Sequence, residues 1–73
     1  MLNKKCFLYT ENKYKILSSV PYCFNTIEQC KEMAQKLEGT AEVIWNKPKT
    51  FGSTTEIVGQ GQRRGKFLIQ THY

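Results

Sequence analysis

The chain has 73 residues, eleven Lys and Arg against six Glu with no Asp, and a formal net charge of +5. A chain this short has room for one domain around one core, so a deep catalytic cleft is hard to build and recognition by a surface is the default expectation. The charge is segregated: residues 26–42 carry four Glu and two Lys, whereas 1–25 carry four Lys and one Glu, and 43–73 carry five cations and one Glu. A one-sided positive field attracts nucleic acid, anionic lipid or an acidic protein surface.

Lys5–Thr10 alternates Cys6 and Leu8 against Phe7 and Tyr9, which predicts a strand. The apolar run ends at Thr10-Glu11-Asn12, too short for a signal sequence or a membrane span, so a cytoplasmic protein is expected. Glu11-Asn12-Lys13 suits a hairpin loop, with Asn12 able to take a left-handed conformation. Tyr14–Val20 alternates again and predicts a second strand, stopped by Pro21, which lacks the N–H needed to continue a ladder.

Thr26–Glu38 predicts a helix. Ile27, Cys30, Met33, Ala34 and Leu37 form one apolar stripe, and Glu28, Lys31, Glu32, Gln35 and Lys36 line the wet side. Thr26-Ile27-Glu28-Gln29 fits a capping box, and Gly39 suits the residue after the helix. The stripe is expected to pack on the sheet. A membrane-surface helix would need a cationic polar face, which this one lacks.

Ala41–Asn46 predicts a third strand, with Val43 and Trp45 on one side and Ile44 on the other. Lys47-Pro48-Lys49 ends it and opens a loop through Phe51-Gly52-Ser53. Thr54–Val58 and Lys66–His72 predict two more strands, the latter with Phe67, Ile69 and Thr71 on one face. The expected fold is therefore α+β and a single domain over 1–73: an antiparallel sheet of four or five strands with one helix packed on one face, in the order β-β-α-β-β-β.

The stretch joining those last two strands, Gly59-Gln60-Gly61-Gln62-Arg63-Arg64-Gly65-Lys66, carries three cations, three glycines and no acid. Glycines let backbone N–H groups approach an anion closely, and arginine offers a planar fork to phosphate or carboxylate. Gln60, Gln62, Arg63, Arg64 and Lys66 are the candidate binding residues, with Lys47 and Lys49 as a second edge. A solvated hairpin tip, kept basic for solubility, is the competing interpretation. The turn is not a Walker A loop, because Gln60 stands where a glycine is needed and Phe67 replaces the Ser or Thr. Nor is it a dinucleotide fingerprint, because Arg64 replaces the third glycine.

A helix covers only one face of such a sheet, so some of the nine aromatic residues should stay partly exposed beside Lys and Arg. That mixture holds single-stranded nucleic acid and also marks protein–protein hot spots. Catalytic sets are missing: with one histidine, His72, and no aspartate, neither a Ser-His-Asp nor a Cys-His-Asn set can be written. Glu28 and Glu32 pair on the wet side of the helix, where a solvated face explains them. Cys6, Cys23 and Cys30 are odd in number and contain no C-x-x-C, so reduced, buried, structural thiols are expected rather than disulfides or zinc. No enzyme activity, cofactor, metal or small-molecule substrate is expected.

A tiny basic β-β-α-β-β-β domain without catalytic residues resembles the small accessory proteins with which phages block host machinery, such as anti-CRISPR proteins and inhibitors of host RNA polymerase. The resemblance lies in size and organisation, and no site residue is carried over from it. It implies a non-enzymatic protein acting in the bacterial cytoplasm, with a host protein or ribonucleoprotein complex as partner. The alternative is a domain that binds nucleic acid directly through the basic turn and an aromatic sheet face.

Overall fold

In the computed structural model, which describes residues 5–11 and 14–72, the first strand, β1, spans Lys5–Thr10 as the alternation predicts. The second strand does not fall where expected. Tyr14–Val20 is irregular, tied to the first strand by one bridge, Glu11 to Leu17, and by a 2.9 Å hydrogen bond from the Ser18 N–H to the Thr10 carbonyl. Lys15 sits at φ 63°, a left-handed conformation that breaks an extended run. The strand β2 is instead Tyr22–Phe24, just past Pro21, and it pairs Phe24 with Cys6 and Cys23 with Phe7. Proline is tolerated at the start of an edge strand, so Pro21 opens this element rather than closing one. The expected left-handed Asn12 lies outside the described residues.

The helix α1, Ile27–Glu38, is capped as its sequence indicates. The Thr26 hydroxyl accepts from the Gln29 N–H at 3.1 Å, and the Gln29 side-chain oxygen accepts from the Thr26 N–H at 3.2 Å. Such a cap contributes about 1 kcal/mol. At the other end, Gln35 donates its side-chain amide to the carbonyls of Gly39 and Ala41, at 2.8 Å each, and so fixes the exit path.

Four further strands follow: β3 (Ile44–Trp45), β4 (Lys49–Phe51), β5 (Thr54–Gln60) and β6 (Lys66–His72). β3 is shorter than Ala41–Asn46, although Val43 is buried and Ile44 exposed as the alternation requires. The segment expected to be a loop from Lys47 to Ser53 contains β4, which folds back on β5 through Gly52-Ser53 and pairs Thr50 with Thr55. Among the described residues the sheet consequently has six strands, one above the expected range, ordered β2-β1-β6-β5-β3 with β4 also on β5, and all pairs are antiparallel.

α1 lies over β1, β2 and β6. Its Cys30 and Ala34 are fully buried against Cys6, Leu8, Ile57, Phe67 and Ile69, with Ile27, Met33 and Leu37 half-buried around them. Trp45 extends this core past the helix. It lies directly on Gly59, where a Cβ has no room, packs 6.2 Å from the Phe67 ring, and has the Lys31 ammonium 5.7 Å from its own ring centre. Among the described residues no helix is long and apolar enough to cross a membrane.

Candidate functional site

The glycine-rich turn is not a free tip. Glu38, the last residue of α1, is fully buried. Its carboxylate accepts the backbone N–H of Arg63 at 2.7 Å and that of Arg64 at 2.6 Å. Burial alone would raise its pKa. The backbone donors of Arg63, Arg64 and Gln62, joined by the Arg63 charge, outweigh that and hold the carboxyl below its ordinary value. Gly61 packs against this carboxylate so closely that a Cβ would overlap it. The Arg64 guanidinium turns back to the Leu37 carbonyl, its Nε donating at 3.3 Å. A second carboxylate holds the far side: Glu11 accepts the Lys66 N–H at 3.3 Å, beside Gly65 at φ 93°.

These contacts hold the backbone of the turn from inside the protein, while the Gln62, Arg63 and Arg64 side chains remain exposed. The N–H groups of Arg63, Arg64 and Lys66 are taken by the protein's own carboxylates. Glu38 carried a signal in its spacing, since Cys30, Ala34 and Glu38 recur at i, i+4 and place it in line with the apolar stripe. Charge concealed it.

The second candidate region is the sheet face turned away from α1. Directly paired residues share a face, so the register defines rungs across the sheet. One rung reads Lys5, His72, Thr54, Phe51; the next reads Cys23, Phe7, Gln70, Glu56, Lys49. The third is Tyr9, Leu68, Val58, and the last is Lys66, Gln60, Ile44. No residue on these rungs is buried. The Phe7 ring meets the His72 ring edge-on at 5.6 Å, and Gln70 donates to Glu56 at 2.8 Å. Phe51 is 60% exposed and Ile44 63%. Beside Phe51 a hollow of about 230 Å³ is lined by Asn46, Lys47, Lys49, Phe51, Glu56 and Val58.

The seven candidate binding residues therefore divide. Gln60, Lys47, Lys49 and Lys66 belong to the uncovered face or its rim, whereas Gln62, Arg63 and Arg64 are exposed on the turn beside the helix C-terminus. Phe7, Tyr9 and Phe51 join the first group; the sequence marks them as aromatic without saying which face they take. The thiols also divide. Cys6 and Cys30 are buried, and burial, with the Cys6 and Cys23 thiols nearby, pushes the Cys30 thiol up to about 12. Cys23 is exposed on the uncovered face, against the expectation that all three would be buried. Among the described residues no three His, Cys, Asp or Glu side chains gather as a metal site.

No protein family matches the chain, and comparison with curated proteins and with solved structures gives no match either.

Proposed function

We propose that this is a non-enzymatic binding protein that acts by occupying a macromolecular surface in a bacterial host, in the manner of a phage accessory or inhibitor protein, and that it does so with the uncovered face of its sheet. The observation that carries this is a six-stranded sheet with its helix on one side only, leaving Phe7, Tyr9, Val58 and Leu68 half-buried and Ile44 and Phe51 exposed on the other. Contiguous exposed apolar surface with a polar rim is uncommon on a protein that binds nothing. The rim is basic on balance, with Lys5, Lys47, Lys49 and Lys66 against Glu56 and Glu11, while Glu28, Glu32 and Glu42 are exposed elsewhere. Small size and the lack of a catalytic set fit occupancy rather than turnover.

The test is affinity capture from bacterial lysate, comparing the wild-type protein with Phe7→Ala/Phe51→Ala and with Glu28→Gln/Glu32→Gln on the opposite side. Capture abolished by the first double variant and retained by the second is the expected result. Equal capture by all three proteins overturns the assignment to this face.

A further inference from the structure

The rungs of the uncovered face set rings and cations in an order that suits one class of partner. Phe7 and Phe51 stand on neighbouring rungs, on β1 and β4. Three strand spacings separate those strands, about 14 Å at roughly 4.8 Å each. Tyr9 lies beside Phe7 on β1, two residues along the same face. The lysines stand outside the rings: Lys5 at the start of β1, Lys49 on β4, Lys66 on the last rung and Lys47 at the rim of the hollow. At about 230 Å³ that hollow is smaller than the pockets of roughly 300–1,000 Å³ that enclose drug-sized ligands. Phe51 and Val58 give it apolar lining, and Asn46 adds a side-chain amide.

We propose that this face binds single-stranded nucleic acid, with unstacked bases laid on Phe7 and Phe51 and the backbone phosphates paired by Lys5, Lys47, Lys49 and Lys66. The inference rests on the preceding assignment of the uncovered face as the binding surface and names its partner. Charge complementarity selects nucleic acid over an apolar protein surface: four ammonium groups surround the rings, and the two carboxylates beside them are engaged within the protein, Glu56 by Gln70 and Glu11 by the Lys66 N–H. A duplex keeps its bases stacked and hidden from the rings, so a single strand is the form that uses both features. Arg63 and Arg64, beside the helix terminus, take no part.

The experiment is fluorescence anisotropy of labelled 12-nucleotide oligo-dT and oligo-U, and of a 12-base-pair DNA duplex, titrated with purified protein over a range of salt. Four phosphate contacts predict a log–log salt slope of about −2.8 on a single strand, at roughly 0.7 per contact. Phe51→Ala should weaken single-strand binding about 5- to 150-fold, the range for losing one stacked base, without changing that slope. Lys49→Gln/Lys66→Gln should flatten the slope by about 1.4, and Arg63→Ala/Arg64→Ala should alter neither quantity. Because Phe51, Lys49 and the two arginines are exposed, and Lys66→Gln keeps the backbone N–H that Glu11 accepts, circular dichroism of each variant should match the wild type. Lack of single-strand binding at low salt overturns the proposal, as does duplex binding of equal strength or an unchanged affinity of Phe51→Ala. If oligonucleotides fail while lysate capture still depends on Phe7 and Phe51, the partner is a protein: this proposal falls and the assignment of the face stands.

Discussion

Glu38 is the residue on which two parts of the chain depend. It ends α1 and at the same time accepts the N–H groups of Arg63 and Arg64, 25 and 26 residues later. Charge-assisted bonds of this kind are the strong ones, and losing an acceptor leaves buried donors unsatisfied. Glu38→Gln should therefore cost about 2 kcal/mol or more in urea unfolding, since the amide presents an N–H₂ group where a carboxylate oxygen accepted. The pH dependence follows in sign from the lowered pKa. A carboxyl whose folded pKa lies below its unfolded value, about 4.3, contributes stability that is fully present above that value and is lost as the pH falls through the folded one. Wild-type stability should drop on acidification below about pH 4.3, and the drop should be smaller in Glu38→Gln. Identical acid profiles for the two proteins would refute this role.

Among the elements, α1 was legible in full because capping chemistry and a 3.6-residue apolar period are both local to it. β1 and β6 were legible to the residue for a similar reason, their period-2 alternation marking one face each. What the sequence concealed was which alternating segment finds a partner. Tyr14–Val20 alternates as well as β1 does, but the β1 edge is taken by Tyr22–Phe24, which places Phe24 against the helix. β4 was hidden because three residues of edge strand carry almost no periodic signal, and the binding face because alternation assigns sides without saying which side the helix covers. The packing of α1 itself is testable. Ala34 is fully buried, so Ala34→Asp places an uncompensated charge in the core and should cost about 3–5 kcal/mol, while Glu32→Ala on the wet side should stay within about 0.5 kcal/mol of wild type. A cooperative, wild-type-like thermal transition for Ala34→Asp would contradict the packing described.

At the scale of the molecule, β6 is the central strand of the long path across the sheet. It pairs along its length with β1 on one side and β5 on the other and sends Phe67, Ile69 and Thr71 into the core. Local stability follows burial and pairing. Native-state hydrogen exchange should therefore find the slowest amides in β6 and the adjoining parts of β1 and β5, and the fastest in Tyr14–Val20 and β3. A β6 that exchanges as fast as β3 would be incompatible with this hierarchy.

The same strand governs how the chain is made. β1, β2 and α1 form one group and β3, β4 and β5 another, and no strand of the first group touches a strand of the second. Among the described residues their bridge across the sheet is β6, which leaves the ribosome after all of them. Until it emerges, each group presents an unpaired strand edge, β1 on one and β5 on the other, and the ring of Phe67 is missing from beneath Trp45. Without this strand the two groups have no common neighbour in the sheet, and the interval before it arrives is when unpaired edges are most open to chaperones, proteases and mispairing.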